Sequence, residues 1–180
     1  MLARHISFRA SQQRADCTDL VMSCMICDRI NQIKKGENSH FVAELETGYI
    51  VLGDFQFFKG YALFLCKEHE GELHDLPSEF KERYLIEMSY VAQAVHEVFS
   101  PKKLNYECLG NAEPHLHWHI FPRYEDDPSP GTASWKVDKE LRYNEKFLLC
   151  NFDAEQMKED ICNAISHIPG VVIHSKWNGE

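Results

Sequence analysis

Asn111-Ala112-Glu113-Pro114-His115-Leu116-His117-Trp118-His119-Ile120-Phe121-Pro122-Arg123 is the stretch on which the reading of this chain turns. On an extended strand successive side chains point to opposite faces, so His115, His117 and His119 share one face while Leu116, Trp118 and Ile120 share the other. One face is then a row of imidazoles, and the apolar face behind it marks an inner strand. Ten histidines in 180 residues give roughly 0.03 such triplets by chance. Solvated histidines on an edge strand are the bland alternative, and the tryptophan on the opposite face speaks against it. Imidazole is largely unprotonated near neutrality, with an ordinary pKa of about 6.5, and is a good nucleophile toward phosphorus. A neighbouring imidazole can donate to a phosphate oxygen or protonate a leaving group. Metal binding is the rival use of the same row, since neutral histidine is a common zinc ligand.

Upstream of this strand, residues 40–46, 49–53 and 61–66 are rich in β-branched and aromatic types, punctuated by Gly48, Gly53 and Gly60. They read as successive antiparallel strands. Phe80, Tyr84, Met88, Val91, Val95 and Val98 recur at three- and four-residue steps, which predicts a long helix opened by Pro77 and stopped by Pro101. Leu104 to Leu109 is strand-like, and Asp28 to Lys34 has room for one or two helical turns before Gly36. A second helix begins after Asp153, where Gln156 completes a capping-box pattern. Met157, Ile161, Ala164, Ile165 and Ile168 form its apolar face, and Pro169-Gly170 ends it. The order of strands and helices is that of an α+β fold.

The length suits one domain. Residues 1–20 read as a disordered or alternative-start extension ahead of Met22, residues 21–125 as the principal domain, and 126–180 as a C-terminal loop and helix extension of it. Acidic residues outnumber basic ones 28 to 19, for a net charge of −9. That balance argues against general nucleic-acid binding, which needs clustered Lys and Arg, but leaves a small phosphorylated ligand open. The longest apolar runs are far short of the ~20 residues a bilayer requires. Seven cysteines without a secretory signal point to a reduced, cytoplasmic compartment.

Cys24 and Cys27 have the two-residue spacing of half a zinc site. Such pairs arise by chance about 0.3 times in this composition, so a plain thiol pair is the competing reading. Two further ligands are needed: His69 and His115 are candidates, with His40 and His74 as alternatives. Cys66, Cys108, Cys150 and Cys162 fall in apolar-patterned segments and read as buried packing residues. His96 and His167 read as helix-surface groups. Trp135 and Trp177 could stack on a base, pack in the core or meet a second subunit.

Taken together, His117-flanking triplet, Pro122-Arg123, the Cys24–Cys27 entry, the run Tyr61 to His69 and the long helix resemble the histidine triad superfamily of nucleotide hydrolases and transferases. The likeness runs from Cys24 to about Tyr124. Within the superfamily it is nearest to bacterial proteins described as diadenosine tetraphosphate hydrolase-like. The resemblance implies an antiparallel sheet of about five strands with a long helix packed on it, assembled as a homodimer. It implies that His117 attacks the α-phosphorus and becomes nucleotidylated, and that His119 contacts the phosphate. It implies one structural zinc per chain on Cys24, Cys27, His69 and His115. Asn111 stands where relatives carry a phosphate-contacting glutamine, and Asp54 lies one residue from the position that holds the ribose. The function so implied is hydrolysis of a nucleoside phosphate anhydride, phosphoramidate or dinucleoside polyphosphate. The alternatives are a nucleotidyltransferase that passes the same intermediate to a phosphorylated acceptor, and a zinc-stabilised nucleotide-binding module without turnover.

Overall fold

Six strands line up in the order β4-β5-β3-β2-β1-β6 in a computed structural model that describes residues 24–179. The reading of residues 1–20 therefore lies outside the described residues. The strands are β1 (Phe41–Glu44), β2 (Gly48–Leu52), β3 (Ala62–Cys66), β4 (Lys103–Glu107), β5 (His117–Arg123) and β6 (Ser175–Lys176). Every neighbouring pair is antiparallel. The α+β expectation holds, with a sixth strand added at one edge. β6 is only two polar residues long, so no apolar alternation announced it.

β2 and β3 are buried along their whole length because helices cover both sheet faces. On one face α1 (Met25–Lys35) sets Ile26, Ile30 and Ile33 against Tyr49, Val51, Leu63 and Leu65. On the other, α2 (Ser78–Phe99) and, after the short α3 (Lys139–Arg142), α4 (Ala154–Ser166) enclose Ile50, Phe64, Ile120 and Leu116. Each fully buried aliphatic or aromatic side chain contributes about 1.5–3 kcal/mol. The ring of Tyr84 on α2 stacks on Phe64 at 5.1 Å between centroids.

α1 is longer than the one or two turns expected, because it starts at the cysteine pair itself. The Cys24 sulfur caps the helix by accepting the Cys27 N–H at 3.4 Å, and Gly36 at φ +73° closes it. The apolar stripe of α2 faces the sheet as its periodicity predicts, and Pro77 and Pro101 flank it. A buried carboxylate was not legible in that stripe: Glu87 is fully buried and accepts from the Thr47 N–H at 2.9 Å and the Thr47 hydroxyl at 2.5 Å. Arg83 approaches it at 3.2 Å. Glu87 thus ties α2 to the β1–β2 turn. At α4 half of the capping box forms: Asp153 accepts the Gln156 N–H at 3.1 Å, while the Gln156 amide turns outward to Asp160. No helix among the described residues is long and apolar enough to cross a membrane.

Two cysteine expectations need correction. Cys66 and Cys162 are buried, but Cys150 is exposed and Cys108 only half-buried. Cys150 lies in the short turn Leu149–Asn151, where Leu149 takes the inward position instead. Trp177 packs against the buried Lys158, whose ammonium lies 4.5 Å from its ring, so of Trp135 and Trp177 only Trp135 reaches the cleft described next.

Candidate functional site

β5 is held between β3 and β4, with His117 opposite Leu65 and His119 opposite both Leu63 and Glu107. This fixes His117 and His119 side by side on the α1 face, ring centroids 4.7 Å apart, at the floor of a cleft of about 550 Å³. The expected row of three imidazoles divides. His115 precedes the strand proper and turns away from the cleft toward the two cysteines.

The hydrogen bonds assign the ring nitrogens. His117 Nδ1 lies 2.6 Å from the carbonyl oxygen of His115. A carbonyl only accepts, so Nδ1 carries the proton and Nε2 keeps its lone pair. His119 Nδ1 lies 2.6 Å from the hydroxyl of Tyr61. This hydroxyl has no other hydrogen-bond partner among the described residues, so its proton goes to Nδ1 and the proton on His119 sits on Nε2. The neighbouring rings therefore hold opposite tautomers: one presents an electron pair from Nε2, the other an N–H. Burial, then the charge of His117, pushes the His119 pKa down to about 4, which keeps it neutral near pH 7. Burial likewise holds the Tyr61 phenol well above its ordinary range, so it stays a donor.

Tyr61 was not singled out by sequence. Its ring stacks on Phe121 at 4.3 Å, and a Cβ on Gly53 would sit 2.1 Å from it. The glycine at position 53 is therefore a requirement of close approach rather than of backbone angle. The only signal available was the glycine-flanked placement of Tyr61 at the head of β3.

Cys24, Cys27, His69 and His115 converge as expected, their ligand atoms all within 4.8 Å of one another. Cys27 Sγ is 3.1 Å from His69 Nδ1 and 3.4 Å from His115 Nδ1; the two Nδ1 atoms are 3.2 Å apart. In a tetrahedron with metal–sulfur bonds of about 2.3 Å and metal–nitrogen bonds of about 2.0 Å, sulfur–nitrogen edges are about 3.5 Å and nitrogen–nitrogen edges about 3.3 Å. The donor set and its spacing fit such an ion. His115 Nε2 donates to the Cys66 carbonyl at 2.9 Å, which leaves Nδ1 as the electron-pair donor facing the cluster. His40 and His74 are not part of this group.

Asp54 lines the cleft at its α1 end, paired with Arg29 at 2.5 Å and His40 at 3.1 Å. The His40 hydrogen bond, with Arg29 behind it, holds the carboxyl well below the usual carboxylate range. Asn111 lies exposed on the cleft rim, in the loop between β4 and β5. Lys139 and Arg142, which sequence reading passed over, also reach the cleft, together with Trp135 and Tyr143. Nothing in their local spacing marks them; they arrive by the path of the chain after β5.

A family model described as the HIT domain matches residues 34–126, just over half of the chain. An uncharacterized HIT-like protein of Mycoplasma genitalium is 26% identical over 126 residues, covering 65% of this chain and 84% of that protein. The adenosine 5'-monophosphoramidase HNT1 of Saccharomyces cerevisiae is 25% identical over 119 residues, covering 65% and 72%. Among solved structures, a histidine triad protein from Marinobacter aquaeolei superposes with a TM-score of 0.58 at 23% identity, covering 71% of this chain and 88% of its own. A zinc-bound histidine triad family protein from Mycobacterium smegmatis gives 0.56 at 23%, covering 81% and 94%. With the paired imidazoles on β5 and half the chain matched by the family's own model, the chain belongs to the HIT domain family.

Proposed function

We propose that the chain is a nucleotide hydrolase acting through a covalent nucleotidyl intermediate on His117, with a nucleoside phosphate anhydride or dinucleoside polyphosphate as substrate. The observation that carries this reading is the pairing of His117 and His119 on the cleft floor, with hydrogen bonds to the His115 carbonyl and the Tyr61 hydroxyl that assign them opposite tautomers. The Nε2 electron pair of His117 forms a bond to the α-phosphorus, and the bond from phosphorus to the leaving-group oxygen breaks with its electrons going to that oxygen. The Nε2–H of His119 donates to the phosphoryl group as negative charge builds on it, a neutral donor in a sheltered site. The His115 carbonyl stabilises the ring of His117 while it carries a positive charge. Water then attacks phosphorus, gives up a proton, and releases the nucleoside monophosphate from His117. Asn111 and Asp54 are assigned to phosphate and ribose, and the similarity to a yeast protein named as an adenosine monophosphoramidase supports attack at a nucleotide phosphorus.

Zinc is the ion assigned to Cys24, Cys27, His69 and His115; when bound it supplies a structural tetrahedral centre. These four residues would hold the start of α1 and the turn before β5 together, and so set the position of the His115 carbonyl. The exposed apolar side chains Leu85 and Ile86 on α2 and Tyr106 on edge strand β4 support assembly as a homodimer through that face. The unpaired cysteines Cys66, Cys108 and Cys162 support a cytoplasmic setting.

The test is intact-protein mass spectrometry after brief mixing with diadenosine polyphosphates or adenosine phosphoramidate, beside His117→Ala. The expected result is one added nucleotidyl group on the unaltered protein and none on the variant. Equal nucleotide release by both proteins without an adduct refutes the covalent route.

A further inference from the structure

Residues 134–149 cross the open end of the cleft as a strap, and all of them lie beyond the stretch that the family model matches. Its near end is fastened by the Ser134 hydroxyl donating to Glu107 on β4. Its far end is fastened to the β2–β3 connection, where the Gln56 N–H donates to the Phe147 carbonyl at 2.6 Å and the Leu149 N–H to the Asp54 carbonyl at 2.9 Å. Tyr143 meets Phe55 edge to face at 5.2 Å, and Phe147 meets Phe57 at 5.0 Å. The strap is therefore a built wall of the cleft, anchored on both sides.

The cleft is lined by three carboxylates and three long cations, held in different ways. Its three carboxylates all have internal partners: Asp54 has Arg29 and His40, Glu107 has Ser134, and Glu113 accepts the Met25 N–H at 3.0 Å. Of its three long cations only Arg29 is paired. Among the described residues neither Lys139 nor Arg142 forms an ion pair with a carboxylate. Arg142 instead donates through Nε to the Val137 carbonyl at 2.9 Å, which orients its guanidinium over the Tyr143 ring. Lys139 and Arg142 thus bring two cations with no carboxylate partner to the strap side of the cleft, while Glu107 and Glu113 are each held by a neutral donor. Beside them Trp135 and Tyr143 are each 54% exposed, with Arg142 over the Tyr143 ring and Lys136 over the Trp135 ring.

We propose that this strap is a subsite for the leaving group, built for one that carries its own phosphate and an aromatic ring, as a second nucleotide does. Lys139 and Arg142 meet the phosphate, and Trp135 or Tyr143 stacks on the ring. The proposal rests on His117 being the attacking group, and it assigns the departing half to the side of the cleft lined by Lys139 and Arg142. A leaving group that is small and uncharged finds nothing there to bind.

The test is equilibrium binding to the zinc-loaded His117→Ala protein, which separates recognition from turnover. AMP and diadenosine tetraphosphate are the probes, since they share one half and differ in the other. The expected result is that the dinucleotide binds about tenfold or more tightly than AMP. That excess shrinks as salt rises from 0.05 to 0.5 M, because screening shortens the reach of the two cations. Lys139→Gln with Arg142→Gln brings the ratio of the two affinities near one, whereas Lys146→Gln, on the strap but outside the cleft, leaves it in place. A ratio near one at the outset, a ratio that survives the double substitution, or an equal loss for AMP overturns the proposal. The covalent reading fails separately, if the protein with His117 intact forms no adduct, and the binding ratio still decides the strap.

Discussion

Replacing Tyr61 with Phe removes one oxygen and leaves a ring of the same shape between Gly53 and Phe121. The lost contact is the 2.6 Å donation to His119 Nδ1, in a place where burial already depresses the imidazole. A sheltered acceptor stripped of its donor costs about 1–3 kcal/mol. His119 can recover part of that by moving its proton to Nδ1, but Nε2 then turns a lone pair toward the phosphoryl oxygens. Since 1.4 kcal/mol is a factor of ten, Tyr61→Phe should slow nucleotidyl transfer by about 5- to 150-fold. Substrate affinity should change little, because the hydroxyl points at His119. The assay is single-turnover adduct formation by rapid quench, with and without His119→Ala. Tyrosine acting through histidine predicts that the two substitutions together cost scarcely more than His119→Ala alone. Nitrogen NMR of the His119 ring should show the Nε2–H form in the parent and a mixed or reversed form in Tyr61→Phe. A variant within twofold of the parent rate, or costs that simply add, refutes this reasoning.

Gly53→Ala drives a methyl group into the same tyrosine ring; it should cost about 1–3 kcal/mol in urea denaturation and slow adduct formation in parallel with Tyr61→Phe. Glu87→Ala strips the partner from the Thr47 amide and hydroxyl and from Arg83, so thermal unfolding should show a loss of about 3–5 kcal/mol, with Glu87→Gln milder. Removing zinc with a strong chelator should lower the melting temperature sharply, because structural zinc contributes about 10–16 kcal/mol of binding coupled to folding. Metal analysis should find about one zinc per chain, lost in Cys24→Ser. His119, facing His117 and Tyr61, titrates near 4 when folded and near 6.5 when unfolded, so between those values the unfolded chain holds more protons. Stability should therefore decline as pH falls through 6.5 and stop declining on this account below about 4, and His119→Asn should flatten that segment of the curve.

The elements legible in the sequence were those with strong period or rare spacing. The stripe from Phe80 to Val98 gave α2, and the alternation from His115 to Ile120 gave β5 and the face its imidazoles occupy. Cys24 and Cys27 pointed to a ligand set because their two-residue spacing is that of half a zinc site. What stayed hidden depends on contacts across long sequence distance. Tyr61 and His119 are 58 residues apart, and nothing near Tyr61 marks its hydroxyl as special. Glu87 sits on an otherwise apolar stripe and is satisfied only because the β1–β2 turn delivers two donors to it. Asp54 was assigned to ribose without its company: Arg29 comes from α1 and His40 from the start of β1, neither near it in the chain. Cys150 misled because hydrophobic neighbours suggested burial, while the tight turn at Leu149–Asn151 shows only one of them to the interior.

The buried Arg123 gives four hydrogen bonds: to Asp127 at 2.6 Å, to Asn105 and the Thr132 carbonyl at 2.7 Å, and to the Ser129 carbonyl at 2.9 Å. Three of these reach the stretch that follows β5, which has no ladder or helix to shape it. Its route is thus dictated from within by a single planar cation, much as a pulley guides a rope. Lengthening that stretch by even one residue would pull an acceptor out of reach. Engineers seeking a place for a tag or a fused module should leave it untouched.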